Sequence, residues 1–381
     1  MKPRILFLVP AEIDALRKKG VDRMILERDE GGFFERVITV HPLTPIARTI
    51  DLNETHRVYE LGGSLSPFRL WRAFRAAARI AKDERVNLVR ATDAYLMGLM
   101  AWWVARAQRI PFCISVHADY AKRFALAPAS GPRAWLRRVA ARLSPFVLRR
   151  ADMVLPIRES LVPSLVAAGA SAPRVRVIPH GVDLSLFGAQ DVTGENDLSL
   201  PAGKQVVSFV GRLTADNYAG DIAAVVARVA RRRGDVLFVI VGEGPDESLL
   251  RTVQSECPDA VRLLPFQSRE RVAQLRLRSA VSLCLMAGFS LIEACAAGSP
   301  PIAYDVEWHR ELVHDGVTGY LVKEHDIDGV VAAIERLLDR PAERAAMGAR
   351  ARTLAFERHD LAATSQIKQA CYTALLNGAA R

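Results

Sequence analysis

Along this chain, short apolar runs closed by turn formers alternate with stretches of helical periodicity. PRILFLVP (residues 3–10) and RVITVHP (36–42) read as strands, each a few apolar residues ended by proline. FRLWRAFRAAARIAK (68–82) repeats apolar residues at helical spacing with arginines between them. VNLVRATD (86–93) predicts a strand and YLMGLMAWWVA (95–105) the buried helix after it. IPFCISVHAD (110–119), ADMVLPI (151–157) and RVRVIPHGVD (174–183) predict three more strands. GAQDVTGENDLSLPAGK (188–204) is polar and rich in turn formers, and reads as a linker. The alternation then restarts. QVVSFVGRL (205–213), DVLFVIVGEGP (235–245), AVRLLPF (260–266) and AVSLCLM (280–286) predict strands, and GFSLIEACAAG (288–298) a helix. PPIAYD (300–305) and GYLV (319–322) follow as strands, and helices fill the chain beyond Asp326. In the last of these, Ile367, Cys371 and Leu375 fall on one face.

Strands alternating with helices predict parallel sheets covered on both faces. Two such series divided by a linker predict an α/β protein of two Rossmann-like, doubly wound domains facing a central cleft: residues 1–187, a linker at 188–203, and residues 204–359. Length also favours two domains over one core. Ligands of such sheets bind beyond the carboxyl ends of the strands, so the loops there hold the candidate chemistry.

Half the residues are apolar and a quarter are charged, the balance of a folded globular protein. Cys113, Cys257, Cys284, Cys295 and Cys371 form no CxxC pair and read as buried thiols of a reducing compartment. The longest apolar run, 95–105, is about half the length that spans a bilayer, and ILFLV is short of a signal-peptide core. The expected location is cytoplasmic, or peripheral on the inner face of the cell membrane. The net charge of +10 is uneven, with about +14 in residues 1–180 and about −4 in the rest. That asymmetry points to an anionic partner for the first half, a membrane surface, a phosphate-bearing substrate or nucleic acid. PRAWLRRVAARLSPFVLRR (132–150) concentrates the charge on an amphipathic helix. It suits either docking on anionic lipid or a helix with one face in the core and a solvated arginine face.

Several residues could carry chemistry. In VGRLT, Arg212 directly follows the strand-terminal Gly211, where a guanidinium suits bidentate phosphate binding; a solvated arginine is the alternative. VGEGP lacks the third glycine and the acidic ribose partner of a dinucleotide fingerprint, and reads as a tight turn. SVHADY places His117 and Asp119 at a strand end, either as core residues or at the ligand-binding edge. DID (326–328) precedes GVVAAIERLL and reads as a helix N-cap with first-turn acids rather than as a metal site. In GFSLIEACAAG, Glu293 sits just inside a helix whose N-terminus suits a phosphate. No serine elbow, HExxH, P-loop or Cys/His metal spacing occurs, so common hydrolase and NTPase classes lack their parts.

RVIPHGVDLSLF, VGRLT, VGEGP, GFSLIEACAAG and ELVHDGVTGYLV, in that order, resemble the family 4 retaining glycosyltransferases of GT-B fold. The resemblance runs from about Val86 to the C-terminus. It implies a nucleotide-sugar donor, UDP- or GDP-linked, used without a metal or other cofactor. It implies that Arg212 binds the donor diphosphate, that Glu293 binds the ribose hydroxyls, and that the turn Gly288, Phe289, Ser290 and Leu291 offers amides to the phosphates. Gly211 and Phe266 join the implied donor-binding set. His117 would sit beside the transferred sugar, with Asp119 and Tyr120 near sugar and acceptor, so Arg212 and His117 are the implied catalytic residues. The final helix, about 360–381, would pack back onto the first domain.

The implied activity is sugar transfer with retention to an acceptor, expected to be lipid-linked, in cell-surface polysaccharide or glycolipid synthesis. Three departures touch the implied contacts. Asn217 stands where the family has lysine, and Leu285 stands eight residues before Glu293 where it tends to have an acid, in a loop about two residues short. PAEIDALRKKG replaces the glycine pair after the first strand. Two rival readings follow, a degenerate GT-B scaffold that only binds and a nucleotide-sugar epimerase of similar fold. A nucleic-acid partner is not expected, because the basic stretch has no known recognition motif.

Overall fold

A computed structural model describes residues 2–18, 23–117, 132–188, 198, 200–201 and 203–379. The chain forms two compact units, residues 1–180 with 364–381, and residues 181–363. The segment 181–187 therefore belongs with the second unit.

The first unit is built on a seven-stranded sheet in the order β3-β4-β2-β1-β5-β6-β7. Its strands are β1 (Arg4–Leu8), β2 (Arg36–His41), β3 (Ala47–Asp51), β4 (His56–Leu61), β5 (Leu88–Ala91), β6 (Phe112–Val116) and β7 (Met153–Pro156). All pairs are parallel except β3 with β4. That antiparallel pair has no counterpart in the apolar pattern, since ARTID alternates exposed and half-buried residues at the sheet edge. Charge across the register holds it instead. Arg57 bonds Asp51 with two N–H groups (2.5 and 3.1 Å), and Arg48 bonds Glu60 opposite it.

Residues 174–183, expected as a strand, make only two isolated bridges, Val175 with Val154 and Val182 with Asp360. The amides of Arg176 and Ile178 donate to the carbonyls of Val154 and Pro156. Pro179 has no N–H to continue the ladder. The Leu96–Gln108 helix buries Met97, Met100, Ala101 and Val104, as its apolar run predicts. In the Pro132–Arg150 helix, Val147 and Leu148 are buried while Arg142, Arg149 and Arg150 are exposed; the side chains of 132–138, 140 and 141 lie outside the described residues. The Leu361–Ala379 helix buries Thr364, Cys371, Tyr372 and Leu375, whereas Ile367 is exposed. Its inward face is thus turned from the predicted Ile367–Cys371–Leu375 line towards Tyr372, which packs with Ile5, Phe7 and Leu88 of the sheet.

The second unit has a six-stranded, wholly parallel sheet in the order β10-β9-β8-β11-β12-β13. These are β8 (Gln205–Val210), β9 (Val236–Val241), β10 (Val261–Leu264), β11 (Ser279–Leu283), β12 (Pro301–Tyr304) and β13 (Tyr320–Val322). The chain winds outward from β8 to β10, then restarts at β11 on the other side of β8. The strand order therefore reverses between β8 and β11, and in the first unit between β1 and β5. Such switch points leave a crevice at the strand ends where ligands of open α/β sheets bind. Asp326 caps the Ile327–Asp339 helix by accepting from the Gly329 amide at 2.9 Å, the role read for DID.

VGEGP forms the turn after β9. The amides of Gly211 and Leu213 donate to Val241 and Glu243 (3.0 and 2.9 Å), extending the ladder past the strands. Gly242 has φ +146°, and a Cβ there would lie 1.9 Å from the Gly211 carbonyl oxygen. At Gly244 a Cβ would lie 2.1 Å from that of Leu213. Two glycines thus let this turn press against the loop carrying Arg212.

Candidate functional site

In the second unit, the predicted residues collect at the ends of β8 and β11, either side of the switch point. Arg212 leaves β8 with its side chain 73 % exposed, and its nearest acid is Asp216 at 3.6 Å, too far for a hydrogen bond. Its guanidinium is open to an anion. Asn217, where the family has lysine, donates from Nδ2 to the Arg212 carbonyl at 3.0 Å and so braces this loop.

After β11 the chain passes the fully buried Cys284 and Leu285. Burial explains why Leu285 replaces an acid: a carboxylate there would need a partner. The Trp308 indole donates to the Ala287 carbonyl at 3.2 Å and pins the short loop. The Phe289–Ala296 helix begins beyond the exposed Gly288. First-turn amides have no partner within a helix, though that of Leu291 bonds the Gly288 carbonyl at 3.2 Å. Leu291 itself is buried, and Phe289 is exposed.

The Ser290 hydroxyl donates to the Val210 carbonyl at 2.8 Å and accepts from Arg276 Nη2, so it ties the helix start to the end of β8. Arg276, on the Arg269–Arg278 helix, is 0 % exposed and also reaches Ser208 Oγ at 3.4 Å. Glu293 is half-buried, and among the described residues its carboxylate has no hydrogen-bond or ion-pair partner. Burial pushes its pKa up, against the pull of Arg276 and then Arg269. Phe266, in the loop after β10, is 84 % exposed, with its amide on Glu243 at 3.4 Å.

In the first unit, His117 follows β6 and stacks on His180 with ring centroids 5.8 Å apart. Burial first, then His180, Arg90 and Arg28, press its pKa down to about 3, so the ring is neutral. Asp119 and Tyr120 lie outside the described residues. Sequence reasoning missed three arginines here and in the second unit: Arg28, Arg90 and Arg276. The available signal was their setting, since Arg90 stands between Val89 and Ala91 in an apolar strand and Arg276 between Leu275 and Leu277.

Two parallel α/β units, each reversing strand order beside its candidate residues, define the GT-B class. The family model described as Glycosyltransferase Family 4 matches residues 12–186, and that described as Glycosyl transferases group 1 matches residues 194–354. The chain belongs to the family 4 glycosyltransferases. A D-inositol 3-phosphate glycosyltransferase of Mycobacterium avium is 31 % identical over 271 residues, 68 % of this chain and 62 % of that protein. The chain spans about three fifths of the length of the curated relatives it matches. Among solved structures, a sucrose-phosphate synthase of Thermosynechococcus elongatus superposes with TM-score 0.73 at 18 % identity, covering 99 % of this chain and 100 % of that one. The Anabaena protein HepE, solved with UDP, gives TM-score 0.72 at 17 % identity, covering 97 % and 100 %. At such identities these two likenesses speak for the fold.

Proposed function

We propose that the protein is a retaining glycosyltransferase that moves a hexosyl group from a UDP- or GDP-linked donor to an acceptor hydroxyl. The observation that carries the reading is Glu293, a half-buried carboxylate without a partner among the described residues, one turn inside a helix that starts beside Arg212's strand end. A buried acid left unpaired is costly unless a ligand completes it. A ribose diol supplies two donors for it. Arg212 and the start of this helix take the diphosphate, whose charge grows as the glycosidic bond breaks, so their stabilisation is largest in the transition state. No metal is needed in this scheme, and no general base is required if the leaving phosphate takes the acceptor's proton on the same face. Neutral His117 serves as a hydrogen-bonding partner of the sugar, and Phe266 offers a face to the base. The relatives' name supports glycosyl transfer, and HepE, of the same fold, was solved with UDP and with UDP-glucose.

The proposed acceptor is lipid-linked, in cell-surface polysaccharide or glycolipid synthesis, on the cytoplasmic face of the membrane. Support comes from the Pro67–Asp83 helix, which exposes Phe68 (66 %) and Trp71 (50 %). Arg72 and Arg75 lie over those two rings at 5.9 and 4.8 Å. Aromatic and basic residues on one helix face suit an anionic interface. Among the described residues no helix is long and apolar enough to cross a membrane. The relatives named for inositol 3-phosphate favour a second reading, a soluble polyol phosphate.

The test is release of nucleoside diphosphate from UDP-glucose and GDP-mannose with three additions: none, inositol phosphate, or a polyprenyl-diphosphate-linked saccharide in vesicles. Acceptor-dependent release supports transfer, and the acceptor that works chooses between the two readings. Donor isomerisation without acceptor would make the protein an epimerase. Donor binding with no turnover under any addition would leave a scaffold.

A further inference from the structure

The first unit holds two arginines that the donor site does not use. Pairing sets Phe7 of β1 opposite both Thr39 of β2 and Arg90 of β5, in one row across the β1–β5 switch point. Arg28 enters from the short 3-10 turn Glu27–Asp29. It donates to Thr39 Oγ1 at 3.0 Å and lies over the Phe7 ring at 4.8 Å. Arg90 lies 5.5 Å from the centroid of the same ring, donates to Ser115 Oγ at 2.6 Å, and donates to the Tyr372 hydroxyl. Both arginines are half-buried.

Among the described residues neither guanidinium has a carboxylate within ion-pair distance. The buried acids of this region are engaged elsewhere. Glu30 is bonded by Lys368 (3.0 Å) and Ser365 (2.9 Å), and Glu60 by Arg48 and the Ile13 amide (3.0 Å). The arginines' hydrogen-bond partners are neutral hydroxyls. Two partly desolvated cations on one aromatic ring repel each other and cost stability unless an anion joins them. The field falls unequally on its surroundings: burial opposes the charge of Arg90, yet Tyr372, Cys113 and Glu30 raise its pKa, while two neighbours are pressed down. Burial first, then Arg28, presses the His41 pKa down to about 4; burial first, then Arg90, presses that of Arg28 itself down to about 10.

We propose that Arg28 and Arg90 form an anion site at the β1–β5 switch point, and that it holds a phosphate monoester carried by the acceptor. Naming the acceptor as the source rests on the glycosyltransferase reading; the anion site itself stands on the geometry of the first unit. A monoester, at about −1.5 to −2, matches the two cations, whereas a diester or a carboxylate leaves one unpaired. Planar forks favour phosphate oxygens. The strand-end position is where sheets of this class take ligands.

The experiment is calorimetric titration of the full chain, in an Arg212→Ala background that silences the donor unit, with glycerol phosphate and with dimethyl phosphate. Glycerol phosphate should bind at least tenfold more tightly than the diester, and Arg28→Gln should lose at least tenfold. Equal affinities for both ligands, or binding untouched by Arg28→Gln, would overturn the site. Because a variant can unfold, a second measurement uses the unsubstituted protein. The NMR titration midpoint of His117 should rise when glycerol phosphate is added, and an unmoved midpoint counts against the proposal.

UDP binding separates the two claims. UDP bound without glycerol phosphate sinks this site alone, and glycerol phosphate bound without UDP sinks the transferase reading alone. Competition by a polyprenyl monophosphate in micelles, or by inositol phosphate, identifies a lipid or a soluble source.

Discussion

Replacing Gly242 by alanine tests whether the VGEGP turn positions the Arg212 loop. The new Cβ would start 1.9 Å from the Gly211 carbonyl oxygen, and real Cβ contacts essentially never fall below 3.0 Å, so the two loops must part by about 1 Å. Forcing a methyl into a packed site costs about 1–3 kcal/mol. Holding a non-glycine residue at φ +146° costs roughly another 1–3 kcal/mol. Against a total stability of about 5–15 kcal/mol this is a large fraction. With a urea m-value of about 2 kcal/mol/M, the midpoint of the second unit's transition should fall by about 1–3 M. A displacement of about 1 Å beside the diphosphate also costs catalysis, on the order of 100-fold in kcat. Urea denaturation followed by circular dichroism reads the first quantity, and nucleoside diphosphate release reads the second. Gly220→Ala is the control. It lies in the Ala219–Ala230 helix, its added Cβ meets nothing within 4 Å, and it should stabilise by up to about 1 kcal/mol. A Gly242→Ala protein within about 0.5 kcal/mol of the original, with undiminished turnover, would refute the reasoning.

Three further variants test the remaining expectations. Arg212→Ala should lower kcat by about 10²–10³-fold, as removal of a preorganised charge-stabilising donor does; near-normal turnover in a folded variant would remove Arg212 from the diphosphate. Glu293→Gln should raise the donor KM with little change in kcat, because ribose contacts are equal in ground and transition states. The same variant should melt higher than the original when no donor is present. A carboxyl whose folded pKa is raised binds more protons folded than unfolded, so its contribution is lost as pH rises above the ordinary 4.5. The gap in melting temperature should widen from acid to neutral pH, and a constant gap would contradict the burial argument. Phe68→Ser with Trp71→Ser should abolish co-sedimentation with anionic vesicles, and in the original protein 1 M salt should weaken it as the Debye length falls to about 3 Å; binding of the double variant equal to the original would clear that helix face of a docking role.

What the sequence determined by itself was local and periodic. Apolar runs closed by glycine or proline mark most strands of both sheets, because a strand buried on two faces must be apolar throughout. The same local logic placed Gly211–Arg212 and Gly288–Glu293 after strands, and capped a helix with Asp326. Where burial was not the organising force, the pattern was silent: β3 and β4 are held by Arg48–Glu60 and Arg57–Asp51 across their register. Where burial was local but pairing was not, it misled, and 174–183 stops at Pro179. The last helix shows how a periodicity fixes a stripe only within a residue or two, since Tyr372 and not Ile367 faces the core. Only the tertiary structure decided which polar groups meet. Residues 7, 28, 39, 90, 115 and 372 converge through strand register and helix packing, and no spacing along the chain encodes that. Arg276 and Ser290 likewise join two strand ends through a hydrogen bond, which the arrangement of β8 and β11 makes possible. An arginine reads as a surface residue in sequence because charge is costly to bury. Only its surroundings reveal the neutral hydroxyls that let it lie inside.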